Sequence, residues 1–359
     1  MGVFPESLLK NLDLCIKCGA CNHVCPIFIS QGKMEVLSPR AYLQIPKMIE
    51  GELTMSVDFI EYAYECMMCG LCDDVCPVGI RISRLILGVR EALIDQGYVP
   101  PPRVASMPTK LSEEGLAFGN REEKAKWLPP DYQPSGSDTF FFSTCLSSET
   151  PESAVAAFHL LKLFMDIDTI GREELCCGSF LRLAGYKYLS RGALEECVNQ
   201  LSRLGVRKLV VLSRPCLDFI QKSGKFDAIH VVDVLKEAVD RGELKFNGTK
   251  KELRIGIVGY SDSYGLNLSS EELVSQIRGV KIMDMPSWAT CGAGTLLSFK
   301  AGAKGIRGHF LEMLRIAKDM KLNSLVFVDA SLYLVAREIA RDKAKVHVYD
   351  VPQFLSKFL

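Results

Sequence analysis

The spacing of apolar residues divides the chain into a helical part and a part built from short strands and helices. Ile82, Leu85, Ile86, Val89, Leu93 and Ile94 recur every three or four residues until Gly97, which predicts one amphipathic helix. Ser38-Pro39 reads as an N-cap followed by proline at the first helical position, opening a helical segment through Met48. A second segment, from Val57 to Tyr64, runs on to Cys66 without a breaker. From about residue 138 the pattern changes. β-rich runs at 139–142, 208–212, 254–258 and 325–328 alternate with amphipathic stretches, such as the one marked by Phe158, Leu161 and Met165, as α/β units do. Between the two parts, Pro100, Pro101, Pro102, Pro108, Pro129, Pro130 and Pro134 fall where apolar periodicity is weak, and 99–137 is expected to be a connector over the surface. The closing stripe of Phe354, Leu355, Phe358 and Leu359 is expected to dock on the chain's own core.

The α/β part repeats itself. The run at 254–258 followed by Tyr260-Ser261 parallels 140–142 followed by Thr144-Cys145, and 325–328 parallels 209–212. Thr290-Cys291-Gly292 stands where Cys176-Cys177-Gly178 stands in the first copy, and all three correspondences are offset by about 115 residues. Residues 138–359 therefore read as two copies of one α/β domain.

Composition narrows the chemistry. The 43 basic and 43 acidic residues balance, with no long basic run, so the chain lacks the electrostatic footprint of a nucleic-acid binder. At 359 residues and 48% hydrophobic content it can build real cores, so its 14 cysteines are not needed as staples. The N-terminus lacks a basic flank and an apolar segment of signal-peptide length, so a cytoplasmic location is expected, where thiols stay reduced and bind metal more often than they form cystine. No apolar stretch approaches the length of a spanning helix; any membrane contact is expected to be peripheral or through a partner, at the inner face.

The cysteines carry the strongest signal. Cys15, Cys18, Cys21 and Cys25 followed by Pro26, and Cys66, Cys69, Cys72 and Cys76 followed by Pro77, both read C-x2-C-x2-C-x3-C-P. This is the run of bacterial proteins with two [4Fe-4S] clusters, in which three cysteines of one motif share a cluster with the fourth of the other. One cluster is expected on Cys15, Cys18, Cys21 and Cys76, and the second on Cys66, Cys69, Cys72 and Cys25. Gly19 and Gly70 would let backbone amides approach the cluster sulfides. Zinc is the competing use of C-x2-C pairs, and two complete copies ending in proline speak against it. His23, inside the first motif, is expected to be exposed or outside the ligand set.

About forty residues separate the motifs, too many for a compact hairpin ferredoxin. This segment resembles the α-helical ferredoxin module in iron-sulfur subunits of succinate dehydrogenase, heterodisulfide reductase and anaerobic glycerol-3-phosphate dehydrogenase. Cys145, Cys176-Cys177-Gly178 and Cys216 resemble the cysteine-rich CCG domain that follows such a module in heterodisulfide reductase, anaerobic glycerol-3-phosphate dehydrogenase and glycolate or lactate oxidation systems. The resemblance implies an α+β multidomain protein. Its parts would be an α-helical ferredoxin with two [4Fe-4S] clusters at 1–98, a Pro-rich linker at 99–137, a CCG domain at 138–248 and a degenerate CCG domain at 249–359. It also implies a third iron-sulfur cluster on Cys145, Cys176, Cys177 and Cys216.

The fullest form of that motif ends in C-x2-C, whereas this chain has Ser213-Arg-Pro-Cys216. Four thiolates suit an ordinary [4Fe-4S] cluster better than a five-thiolate noncubane one, with zinc as a further alternative. The second copy keeps only Cys291 beside Ser261, Thr290, Ala330 and Tyr333, and is expected to hold no metal and to serve as scaffold or docking surface. Cys197 and Cys291 are expected to be buried thiols. His159, His230, His309, His347 and Asp262 have no partners that spacing identifies. Ile255-Gly256-Ile257-Val258-Gly259 and Gly292-Ala293-Gly294 lack the dinucleotide-binding spacing.

Three clusters without a flavin or nicotinamide fingerprint describe a wire. The expected function is an iron-sulfur electron-transfer subunit of a multi-subunit oxidoreductase, with no catalytic residues of its own. It would relay electrons between a flavoprotein dehydrogenase, of 2-hydroxy acid or glycerol 3-phosphate type, or another redox partner, and a quinone, disulfide or carrier acceptor. Two rivals stay open at this point: a heterodisulfide-reductase-like subunit that reduces a disulfide at the CCG cluster, and a non-catalytic docking protein.

Overall fold

A computed structural model describes residue 4 and residues 12–51, 58–124, 126–260, 266–341 and 346–359. Helices and two parallel sheets make up an α+β protein. The first part is all helical. Ser38 caps the helix Pro39–Tyr42 by accepting the Ala41 amide, as its sequence signature predicts. The helix does not continue to Met48: it breaks at Leu43 and Gln44, and a second short helix runs Ile45–Ile49. Pro46 is the cause, because it lacks an N–H and its ring would clash with the Tyr42 carbonyl. The helix Asp58–Glu65 leads into the second motif; Val57, where the sequence pattern starts it, lies outside the described residues. The long helix Ile82–Asp95 buries Ile82, Leu85, Ile86, Val89 and Leu93 on one face, and Arg90 with them.

The first sheet contains β1 (Thr139–Phe142), β2 (Lys208–Val211) and β3 (Asp227–His230), in that order and all parallel. The second contains β4 (Leu253–Val258), β5 (Val280–Ile282), β6 (Ser324–Phe327) and β7 (His347–Asp350), in the order β5-β4-β6-β7 and also all parallel. β1-β2-β3 corresponds to β4-β6-β7. Leu212 donates to the Phe142 carbonyl beyond β2 as Val328 donates to the Val258 carbonyl beyond β6. An isolated parallel bridge from Phe140 to Asp168 lies against β1 where β5 lies against β4. The near-continuous apolar runs follow from helices covering both faces of each sheet.

The stretch expected to run over the surface is instead partly built into the interior. It forms the helices Pro102–Ala105 and Met107–Glu114, and Val104, Met107, Leu116, Ala117 and Lys124 are fully buried. Its prolines at 102 and 108 lie in the first turns of these helices, where a missing N–H costs nothing. Proline density was therefore the wrong cue for exposure. At the C-terminus Phe354, Leu355 and Phe358 are buried, and Gln353 reaches Ser153 Oγ at 2.9 Å, while Leu359 stays exposed.

The helical part wedges between the two sheet units. The Tyr64 hydroxyl donates to the Ala184 carbonyl at 3.0 Å on the first unit. Glu65 accepts the Lys304 and Gly305 amides, both at 2.8 Å, at the start of the second unit's helix Lys304–Asp319.

Candidate metal centres

The two C-x2-C-x2-C loops share an unusual backbone. Lys17 and Gly19 in the first, and Met68 and Gly70 in the second, all have positive φ, 58° and 77° against 53° and 83°. The residue before the second cysteine and the residue after it are thus left-handed in both. Successive amides in such turns face into a concavity suited to an anion; the Met68 amide lies 3.4 Å from Cys66 Sγ. No atom approaches the Gly19 Cβ position within 4 Å, so glycine is needed there for its φ. The helix Ala20–Val24 then carries Cys21, and Cys25 ends that helix while opening the helix Pro26–Ser30.

Folding brings these loops round two neighbouring cavities. Cys15, Cys18, Cys21 and Cys76 line one, with Lys17, Arg40, Leu43 and Ile80. Cys25, Cys66, Cys69 and Cys72 line the other, with Pro39, Tyr42, Met67 and Ser83. Ile82 lines both, so the two cavities are neighbours. Cys18 is exposed, whereas Cys69 and Cys72 are buried. Burial pushes the Cys25 thiol up to about 12 and raises Cys66, Cys69 and Cys72 as well. A bare thiolate is costly in this second cavity, and these thiols suit binding to cations that supply the missing charge. The Tyr42 hydroxyl, fully buried on the cavity wall, has no hydrogen-bond partner among the described residues. Four thiols, apolar walls and a spare donor fit an iron-sulfur cluster in chemistry. Among the described residues no three His, Cys, Asp or Glu side chains converge on a single ion's position; thiols ranged round a cavity suit a larger metal group.

In the first sheet unit, Cys145 follows β1 after Thr144, whose φ of 63° is a rare conformation for a β-branched residue. A buried ion pair holds that turn. Lys124 Nζ donates to the Thr144 carbonyl and lies 2.7 Å from Glu174 Oε1, and Glu174 accepts the Ser143 amide at 2.9 Å. Both charged side chains are fully buried. Cys176 and Cys177 lie on the following loop, where Gly178 has φ 81° and a Cβ would meet the Ser190 carbonyl at 2.5 Å, so only glycine fits. Cys216 lies in the first turn of the helix Arg214–Gln221. The four thiols are neighbours in the order Cys145, Cys176, Cys177, Cys216, and all are buried. Hydrogen bonds from Cys145 and Cys177 hold the Cys176 thiol well below the usual range. Cys197 is buried within the helix Lys187–Arg203.

The second unit uses the matching loop differently. Cys291 is fully buried, donates its amide to the Gly259 carbonyl at 2.8 Å, and has its thiol raised by burial. A Cβ on Gly292 would overlap the Met67 carbonyl, and the Gly294 amide donates to the same carbonyl at 3.0 Å. This loop is pressed against the second cysteine motif. Ala330 starts the helix Ala330–Ala340, and Tyr333 donates to Glu152 at 2.9 Å; Ser261 and Asp262 lie outside the described residues.

His23, His159 and His347 are exposed. His230 lies 3.4 Å from Asp329, and His309 is 3.0 Å from the Thr290 carbonyl; both are buried. Sequence reasoning missed Tyr42, Arg90, Lys124 and Glu174. Only Arg90 left a trace, as a charge inside the apolar stripe of its helix.

Residues 11–80 match the 4Fe-4S dicluster domain family. The chain is 24% identical over 325 residues to one of the subunits of the dihydromethanophenazine:CoB–CoM heterodisulfide reductase of Methanosarcina barkeri, covering 80% of this chain and 79% of that protein. It is 22% identical over 292 residues to the EtfAB:quinone oxidoreductase of Syntrophomonas wolfei, covering 66% of this chain and 41% of that protein. A crystal structure of a hypothetical protein from Helicobacter pylori shares the fold over 99% of this chain and 73% of its own, with a TM-score of 0.61 at 13% identity. Both cysteine motifs lie inside the matched segment, and the chain resembles iron-sulfur proteins of the oxidoreductase-subunit type.

Proposed function

We propose that this chain is the electron-relay subunit of a multi-subunit oxidoreductase and holds three clusters. Two [4Fe-4S] clusters would sit on Cys15, Cys18, Cys21 and Cys76, and on Cys25, Cys66, Cys69 and Cys72; a third would sit on Cys145, Cys176, Cys177 and Cys216. The observation that carries the reading is the pair of neighbouring cysteine-lined cavities, with Ile82 on the wall of both, which would keep two redox centres adjacent. When bound, such clusters accept and release single electrons.

The chain's own residues set the direction of contact. Exposed Cys18 makes the first site the point of access to a partner, and the buried second site faces inward. From there the Cys66 carbonyl is joined through Arg90 to the Leu183 carbonyl, on the helix that follows Cys176-Cys177-Gly178. The α-helical ferredoxin at 1–98, the CCG unit at 138–248 and the metal-free unit at 249–359 then have separate duties: contact and relay, relay, and clamping of the second site. Electrons pass between a flavoprotein dehydrogenase or another redox subunit and a quinone, a disulfide or a carrier; the names of the relatives support the disulfide and the quinone.

Anaerobically purified protein is expected to hold about twelve irons, and Cys18→Ser to remove one paramagnetic signal seen on reduction. About eight irons, with zinc present, would remove the third cluster from the reading.

A further inference from the structure

Arg90 is fully buried, and among the described residues no carboxylate forms an ion pair with it. Its guanidinium donates to the carbonyls of Ala63 at 2.9 Å, Cys66 at 2.7 Å and Leu183 at 3.0 Å, and lies 5.0 Å from the Tyr64 ring centroid. Carbonyls and a ring face satisfy its hydrogens and leave its charge uncompensated. The nearby buried carboxylate, Glu65, is committed to the Lys304 and Gly305 amides. A lone buried cation is strongly disfavoured unless an anion is present. The groups beside it that can carry negative charge in a working protein are the thiolates of the second cavity, beginning with Cys66, and what they bind. Tyr42 adds the second observation: a buried hydroxyl on the wall of that same cavity, without a partner among the described residues.

The first cavity is different. Its wall cations are Lys17, which is exposed, and Arg40, which is partly exposed and paired with Glu35 at 2.6 Å, so water screens both charges.

We infer that Arg90 and Tyr42 set the reduction potential at the second cysteine site above that at the first, Arg90 as the buried counter-charge and Tyr42 as a hydrogen-bond donor toward sulfur. One-electron reduction adds one negative charge and requires no proton. A buried cation and an unspent O–H both favour the more negative state, and low dielectric keeps their effect large. The second site thereby collects electrons that enter at the exposed first site. Both residues are positioning and tuning groups rather than ligands. The inference rests on the proposal that each cavity holds a cluster.

The test is a potentiometric titration, followed by paramagnetic resonance, of anaerobic full-length protein with its clusters in place. Wild type is compared with Tyr42→Phe and Arg90→Gln. Tyr42→Phe removes one hydroxyl, and is expected to disfavour reduction of one cluster about fivefold while leaving the others unmoved. Arg90→Gln is expected to move the same cluster in the same direction by about tenfold or more, a fall of about 59 mV for one electron. Should Arg90→Gln fail to fold, Tyr42→Phe decides alone. Unchanged potentials in Tyr42→Phe, an equal shift at all clusters, or a rise would overturn the inference. Wild type lacking two dicluster signals would instead sink the cluster reading itself, so the two failures are separable.

Discussion

The two sheet units share strand order and helix placement, yet the loops at the carboxyl ends of their first strands do different work. In the first unit that region gathers Cys145, Cys176, Cys177 and Cys216, with a buried Lys124–Glu174 pair holding the Thr144 turn in place. In the second the corresponding loop keeps Cys291 as a buried thiol and uses Gly292 and Gly294 to let its backbone touch Met67 and Cys69. One crevice of an α/β sheet can thus be a ligand site or a contact surface, depending on whether its side chains carry thiols or vanish altogether. The cysteine-poor unit presses on the second site from one side, while Arg90 and Tyr64 tie that site to the cysteine-rich unit on the other. Loss of ligands has not made the second copy dispensable, because the buried wall of another site now depends on it.

The sharpest test of this contrast compares one cysteine from each loop. Cys177→Ser is expected to remove about four irons and one paramagnetic signal, whereas Cys291→Ser keeps the full iron content. Equal losses, by iron analysis and spectroscopy, would break the comparison. Next in size is Lys124→Met, which leaves Glu174 as an uncompensated buried carboxylate and is expected to cost about 3–5 kcal/mol in denaturant unfolding. If stability is unchanged, the ion pair does not hold the first unit's turn.

A pH effect belongs to the second unit. Burial lowers His309 to about 4, so the folded protein keeps the ring neutral while the unfolded chain protonates below about 6.5. Its stabilising contribution is therefore complete above pH 6.5 and is lost as pH falls toward 4, by on the order of 3 kcal/mol. Asp350, raised to about 6 by burial, acts in the opposite direction over part of that range. The difference between wild type and His309→Leu, measured by denaturation at pH 7 and pH 4.5, isolates the histidine: the wild type should lose more stability than the variant. The smallest expected effect is Gly292→Ala, where the added methyl must displace the Met67 and Cys69 backbone, at about 1–3 kcal/mol in unfolding. A variant as stable as wild type would mean that the loop does not clamp the motif.

Much of this protein is legible along the chain. The C-x2-C-x2-C-x3-C-P motifs, the helical stripe at 82–94 and the β-rich runs are local patterns, and short-range geometry is enough to make them meaningful. The same local reasoning misled where a residue type has two uses. The prolines of 99–137 suggest an exposed connector, yet two of them start helices whose apolar faces are buried. Pro46 cuts a helix that apolar spacing alone would carry to Met48. Tyr42, Lys124 and Glu174 leave no periodic signature, since their importance comes from neighbours tens of residues away.

By itself the sequence determined the cysteine spacing of the two motifs, the repeat of the α/β pattern, and the loss of cysteines from its second copy. Tertiary structure alone decided that Ile82 lines both cavities, that Tyr42 lies on the wall of the second, and that Arg90 lies buried without an acid partner among the described residues. The reason is physical. Ligand type and spacing are properties of a few bonded residues, but burial and uncompensated charge depend on the dielectric that the folded chain creates around them.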